Sequence, residues 1–77
     1  SKEHYVVLGV YKHYSNACRQ VVNLKTKGLK PSILFIPQKR FYYVYVFHSQ
    51  ERDEAVKERK RARQSNQFFG AWIFSVE

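Results

Sequence analysis

A strand–helix–strand pattern occurs twice along this chain, and no other feature limits its fold as tightly. A short basic turn at Gln38–Arg40 separates the two copies. In chain order, the predicted elements are strand His4–Val10, helix Ser15–Lys27, strand Pro31–Ile36, strand Phe41–His48, helix Glu51–Ser65 and strand Gly70–Val76. Residues 66–69 form a predicted loop. The order of elements is therefore β-α-β-β-α-β, as two similar halves joined by a hairpin.

Both helices are predicted from the placement of side chains along them. Ala17, Val21 and Leu24 recur at helical spacing and form one apolar stripe on the first helix. Gly28 follows, at a position where a residue in the left-handed conformation commonly ends a helix. The second helix has its acidic residues first and its basic residues last, which matches the helix dipole.

The strands differ in the position that their sequences favour within a sheet. Phe41–Phe47 is a run of seven consecutive β-branched or aromatic residues, typical of a central strand covered on both faces. Pro31 and Pro37 bracket the second strand. They indicate an edge position, because proline cannot donate a hydrogen bond to a neighbouring strand.

This order of elements predicts an α+β fold of the ferredoxin-like βαββαβ type. Its sheet has four antiparallel strands, with the first and third strands in the centre. Right-handed crossovers place both helices on one face of the sheet and leave the other face open. A chain of 77 residues has room for one such domain, since domains usually need at least about 50 residues each.

Strand alternation predicts which side chains lie on the open face of the sheet. The compact residues expected under the helices are Val6, Leu8, Val10, Tyr42, Val44 and Val46. The open face is expected to present Tyr5, Val7, Gly9, Tyr43 and Tyr45. Phe47 shares the alternation of the open face, but a structural role is favoured for it. An uncovered row of aromatic rings indicates a binding partner.

The charge distribution favours an anionic partner. Lys and Arg total 14 against 6 Asp and Glu, which gives a formal net charge of +8. From His4 to Gln50 there are seven basic residues and no carboxylate. Nucleic acid, an acidic glycan or an anionic membrane surface would each fit this distribution. A purely solubilising role in a small, aromatic-rich domain would fit it as well.

The sequence offers little for catalysis, metal binding or membrane insertion. His4, His13 and His48 are interpreted as isolated, because no carboxylate lies between them in the chain. The single cysteine, Cys18, cannot form an internal disulfide or a multi-cysteine metal site. The longest apolar run has seven residues, well short of the ~20 that span a bilayer. We therefore predict a binding function, with no enzyme activity, cofactor or metal.

A weak resemblance to the RNA recognition motif lies in the third strand. That family has the same order of elements, and its signature matches Lys39, Phe41, Tyr43 and Val44 in the segment KRFYYVYV. Arg40, however, stands where the signature has glycine. Binding of single-stranded nucleic acid by base stacking is kept as a less favoured alternative.

A second resemblance covers the chain from about Tyr5 to Phe74. Five short motifs occur in order: YVVLGVY at Tyr5–Tyr11, N-A-x-R at Asn16–Arg19 with K-x-K-G at Lys25–Gly28, alternating Tyr42, Val44 and Val46, D-E-A at Asp53–Ala55, and A-W-I at Ala71–Ile73. On these motifs the chain resembles the SPOR domain, the sporulation-related repeat that binds bacterial peptidoglycan.

The resemblance implies a partner and a set of binding residues. The partner is the peptidoglycan glycan strand lacking stem peptides, bound without catalysis in the periplasm or cell envelope of a bacterium. The aromatic residues expected to contact the sugar rings are Tyr5, Tyr43, Tyr45 and Trp72. The cations expected to pair with its carboxylates are Arg40, Lys39 and Lys12. Apolarity alone would place Trp72 under the helices, whereas the family pattern places it on the binding face.

Three positions on the sheet depart from the family pattern. Val7 replaces a glutamine expected to contact sugar, Val10 replaces a serine, and Phe47 replaces a glycine. The open face is therefore more aromatic than usual, and a docking domain for proteins of an envelope assembly is a second alternative. In either case, residues 1–77 are expected to form a single SPOR-like domain from a longer cell-envelope protein.

Overall fold

The computed structural model describes residues 2–64 and 70–76 and contains all six predicted elements. They are β1 Glu3–Tyr11, α1 Tyr14–Thr26, β2 Ser32–Ile36, β3 Phe41–Ser49, α2 Arg52–Arg63 and β4 Trp72–Val76. The sheet order is β2-β3-β1-β4, and each neighbouring pair is antiparallel. The predicted βαββαβ fold is confirmed, with the first and third strands central. The loop predicted at residues 66–69 lies outside the described residues.

The core consists of two small clusters between the sheet and the helices. Their buried members are Val6, Ala55 and Ala71 beneath α2, and Ala17, Leu24 and Val44 beneath α1. Leu8 and Val46 pack against both clusters and join them. Both helices therefore lie on one face of the sheet, as predicted.

The glycine after α1 ends the helix as the sequence predicts. Gly28 has a φ of 82°, in the left-handed region. Its N–H donates to the Lys25 carbonyl at 3.1 Å, and the Leu29 N–H donates to the Leu24 carbonyl at 3.2 Å. This pair of bonds is the Schellman motif, and Leu29 then packs against the core beneath α1.

Two irregularities in the pairing of β1 with β3 change the predicted alternation. Val6 pairs with Phe47, Val7 with Tyr45, and Gly9 with Val44, so Val46 and Leu8 are each extra residues in their strand. An extra residue of this kind is a β-bulge, and it reverses which side the following side chains face.

Because of the bulge at Leu8, the predicted faces of Gly9 and Val10 at the end of β1 are wrong. Gly9 now faces α1, where a Cβ would overlap the Gln20 side chain. Val10 pairs with Tyr43 and lies on the open face, half exposed, rather than under the helices. The bulge at Val46 has a matching effect on Phe47, which packs against the core beneath α2 and has the structural role favoured for it.

Truncating a buried side chain in the core of this small domain is expected to lower its free energy of unfolding substantially. Leu24 is 1% exposed, so Leu24→Ala should lower the free energy of unfolding by about 2–4 kcal/mol, through lost burial and the cavity left behind. Val22, on the same helix, is 64% exposed, and Val22→Ala should change it by less than about 0.5 kcal/mol. Urea denaturation followed by circular dichroism measures both. Equal losses in the two variants would contradict this packing.

Candidate functional site

The open face of the sheet, the side that neither helix covers, carries the candidate site. Its rings come from three adjacent strands: Tyr5 on β1, Tyr43 and Tyr45 on β3, and Trp72 and Phe74 on β4. Trp72 pairs directly with Val7, whereas Ile73 turns to the core beneath α2. The structure thus places Trp72 on the open face, as the family pattern implied and contrary to its apolarity.

Three of these rings form a compact group that we call the tryptophan cluster: Tyr43, Trp72 and Phe74. The ring centroids of Tyr43 and Phe74 are 4.6 Å apart, and Trp72 lies 6.0 Å from each. Val7 lies on the strand between them and is fully buried. The rings therefore cover Val7, and the open face has a small apolar core of its own.

Tyr43 and Trp72 have different positions within this cluster. Tyr43 is only 4% exposed, whereas Trp72 is 36% exposed. Tyr43, which is predicted to contact the ligand, thus packs against Trp72 and Phe74 with little free surface, whereas Trp72 presents part of its ring to the solvent.

A second group, which we call the tyrosine–histidine cluster, contains Tyr5, Tyr45 and His48. Tyr5 and Tyr45 meet edge to face at 4.9 Å, and the His48 ring stacks on Tyr5 at 5.7 Å. His48 Nδ1 also lies 2.6 Å from a carboxylate oxygen of Glu3. Burial raises the pKa of Tyr5, with smaller contributions from Tyr45 and then Glu3. The raised pKa favours the neutral Tyr5 hydroxyl, the form that can donate a hydrogen bond.

His48 lies on the open face, a position that the sequence interpretation missed. Simple alternation places it under the helices, and its partner Glu3 lies outside the acid-free segment that begins at His4. The bulge at Val46 turns His48 to the open face, where it pairs with Tyr5. The three histidines are therefore not all isolated, and no sequence signal marked the bulge.

Cations border the face at the turn between β2 and β3. Lys39 Nζ lies 5.4 Å from the centroid of the Phe74 ring, although Phe74 is two strands away from β3. The N–H groups of Lys39 and Arg40 both donate to the Ile36 carbonyl, at 3.1 and 2.8 Å. The turn therefore places an ammonium group over the tryptophan cluster, where the ring faces attract it.

Arg40 occupies this turn in a conformation that suits glycine better. Its φ of 57° is the only positive φ of a non-glycine residue in the part of the chain that the structure describes. A side chain in this region costs about 1–2 kcal/mol relative to the right-handed conformation. Arginine is thus present at a position whose backbone favours glycine, which points to a use for its side chain.

The third predicted cation, Lys12, lies at the same end of the sheet. It follows Tyr11, which pairs with Tyr42 beside the β2–β3 turn, and it is exposed. Glu3 and His48 lie at the other end. The open face is therefore electrostatically graded, with Lys12, Lys39 and Arg40 at one end and the Glu3–His48 pair at the other.

Metal binding and membrane insertion find no support in the described residues. Across residues 2–64 and 70–76, no group of three or more His, Cys, Asp or Glu side chains could hold a metal ion. Neither α1 nor α2 is long and apolar enough to cross a bilayer. The open face itself combines partly exposed aromatic rings with bordering cations.

Comparisons with known proteins identify the family of this chain. The family model of the SPOR domain matches residues 1–75. The chain belongs to the SPOR domain family. The structure is also similar to the solution structure of the peptidoglycan binding domain of the B. subtilis cell wall lytic enzyme CwlC. The TM-score is 0.72 at 25% sequence identity, covering 100% of this chain and 92% of that chain. The search of curated proteins returned no match.

The departure of this SPOR domain from the family pattern at Val7 has a structural explanation. The family's glutamine at that position would present a polar group, but Val7 is buried beneath the tryptophan cluster. A valine there gives the rings an apolar support, since a buried amide without partners would be unfavourable. At this position the open face of this member therefore presents aromatic rings rather than an amide.

The conformation of Arg40 gives a direct test of the turn. Arg40→Gly should raise the free energy of unfolding by about 0.5–1 kcal/mol, because relief of the left-handed conformation exceeds the added flexibility of the unfolded chain. The matched control is Lys39→Gly, at a neighbour without a positive φ, which should lose about 0.5–1 kcal/mol. Urea denaturation compares the two. A lower stability for Arg40→Gly than for the parent protein would contradict the assigned conformation.

Proposed function

We propose that this SPOR domain is a non-catalytic module that binds peptidoglycan through its open face. Family membership and the similarity to the B. subtilis domain support peptidoglycan as the partner. The finer proposal concerns the form of the ligand: glycan strands from which the stem peptides have been removed. The observation that carries it is the Lys39 ammonium group held 5.4 Å from the Phe74 ring centroid.

The aromatic rings account for binding of the sugar units. The C–H faces of pyranose rings are apolar and pack against aromatic side chains, which bury a large area with few rotatable bonds. Trp72, Tyr5 and Tyr45 offer such surfaces at the two clusters, while Tyr43 supports Trp72 from beneath. The edge-to-face contact of Tyr5 with Tyr45 fixes their orientation before the ligand binds.

The cations account for selection of strands without peptides. Removing a stem peptide leaves a free lactyl carboxylate on each muramic acid unit, so the strand becomes a regular polyanion. A cation held against a ring that neighbours the sugar-stacking rings lies near any carboxylate that the sugar carries, and Phe74 is such a neighbour of Trp72. Lys39 is placed in this way, and Arg40 and Lys12 border the same end of the sheet. Arg40 adds a planar donor pair suited to a carboxylate.

The proposed function also places the domain in the cell. A peptidoglycan-binding module acts in the bacterial cell envelope, and we propose the periplasm as its compartment. We further propose that residues 1–77 form one domain of a longer envelope protein.

Binding to purified sacculi tests the proposed ligand. The domain should be enriched on amidase-treated sacculi over untreated ones, at both low and moderate salt. Tyr45→Ala should weaken this binding at least about 10-fold, since a ring at the centre of a binding face often contributes more than 1 kcal/mol. Lys39→Gln should also weaken it. Sedimentation of the domain with the sacculi measures the bound fraction.

Matched variants separate the open face from the rest of the surface. Tyr14 is an exposed tyrosine on α1 and Lys57 an exposed lysine on α2, so Tyr14→Ala and Lys57→Gln should bind as the parent protein does. Equal binding to treated and untreated sacculi would overturn the preference for strands without peptides. Binding to single-stranded nucleic acid that falls steeply with salt, without binding to sacculi, would favour the nucleic acid alternative instead.

A further inference from the structure

A second concave surface lies on the helix side of the sheet, away from the open face. It is a depression of about 300 Å³ lined by Tyr11, Asn16, Arg19, Gln20 and Asn23. Tyr11 reaches this side because the bulge at Leu8 reverses the alternation of β1, and it packs against the core beneath α1. The depression is therefore separated from the rings of the open face by the thickness of the sheet.

The polar lining comes from one stripe of α1. Asn16, Arg19, Gln20 and Asn23 recur at i, i+3, i+4 and i+7, which places them on one face of the helix beside its apolar stripe. Three of these side chains are amides, each with donors and an acceptor, and the fourth is a guanidinium with donors alone. This set suits a ligand that carries hydroxyl or amide groups together with a negative charge.

Gln20 is incompletely satisfied without a ligand. Its Nε2 donates to the Leu8 carbonyl at 3.5 Å, which is long for a hydrogen bond. Its Oε1 is buried against Gly9 and has no hydrogen-bond partner among the described residues. An unpaired buried acceptor is unfavourable, so rotation of this amide toward a ligand that donates an N–H or O–H would satisfy it.

Arg19 supplies an uncompensated positive charge at the rim. It is exposed and forms no ion pair with the carboxylates of residues 2–64 and 70–76. The surrounding sequence, from His4 to Gln50, contains no acidic residue that could neutralise it. The Tyr11 ring forms the one aromatic wall of the depression. An anionic ligand with a flat apolar face fits this combination.

We propose that the depression is a second sugar subsite, which takes a pyranose bearing both a carboxylate and an acetamido group. The carboxylate accepts hydrogen bonds from Arg19, the acetamido N–H donates to Gln20 Oε1, and the ring packs on Tyr11. Asn16 and Asn23 bond the ring hydroxyls. The inference rests on the proposed function, since a glycan strand without stem peptides repeats such a sugar. A domain with subsites on both sides of its sheet holds two strands at once.

Titration of the ¹⁵N-labelled domain with N-acetylmuramic acid tests this subsite by NMR. Saturable shifts are expected for the side-chain amides of Asn16, Gln20 and Asn23. N-acetylglucosamine lacks the carboxylate and N-acetylalanine lacks the ring, so each should bind at least tenfold more weakly. Arg19→Gln should weaken N-acetylmuramic acid at least tenfold, while Lys25→Gln, which removes an exposed charge from the same helix, should have no effect.

Three results would contradict the proposed subsite. They are chemical shift changes confined to the open face, binding of N-acetylalanine as tight as that of N-acetylmuramic acid, or equal effects of Arg19→Gln and Lys25→Gln on binding. The variant Trp72→Ala keeps this test separate from the proposed function. It should lose binding to sacculi and retain the shifts at the α1 amides. If the parent protein fails to bind sacculi but shows saturable shifts at those amides, the proposed function fails and the subsite stands.

Discussion

The pairing of β1 with β3 determines what both faces of this domain present. Two bulges, at Leu8 and Val46, let each strand change its alternation part-way along. On the helix side, Leu8 and Val46 join the two core clusters, and the bulge at Val46 brings Phe47 beneath α2. On the open side, they bring His48 beside Tyr5 and Val10 beside Tyr43. In a chain of 77 residues, which buries a smaller share of its surface than a larger domain does, one strand pair therefore organises both the core and the candidate site.

The open face has a packed tryptophan cluster and, at its border, one residue in an unfavourable backbone conformation, Arg40. The tryptophan cluster covers Val7 and is held by ring contacts between β3 and β4, so Trp72 rests on a fixed support. The β2–β3 turn holds Lys39 over Phe74 and keeps Arg40 in a left-handed conformation. A domain selected for stability alone would place glycine at that position. Arginine there is consistent with a binding surface that needs positive charge at one end, and strain of this kind commonly accompanies function.

The architecture could be predicted from the sequence, because its signals are local. The run Phe41–Phe47, the stripe from Ala17 to Leu24 and the position of Gly28 each define an element by themselves. The site was predictable only in part. Tyr5, Tyr45 and Trp72 are on the open face, but the burial of Tyr43 depends on Phe74 and Trp72, two strands away. The position of His48 depends on the bulge at Val46, which the sequence of β3 does not predict. These features arise from pairing between strands, which alternation within one strand cannot show.

We propose that the open face is the surface that meets the glycan. Trp72 can report on this contact directly because it is the only tryptophan in the sequence. Its fluorescence should be followed while soluble glycan strands lacking stem peptides are added. We expect a saturable change in emission and a matching decrease in quenching by acrylamide, because a sugar stacked on the ring excludes solvent. Saturable binding detected by sedimentation, with both the emission and the quenching of Trp72 unchanged, would contradict the claim and place the glycan on another surface.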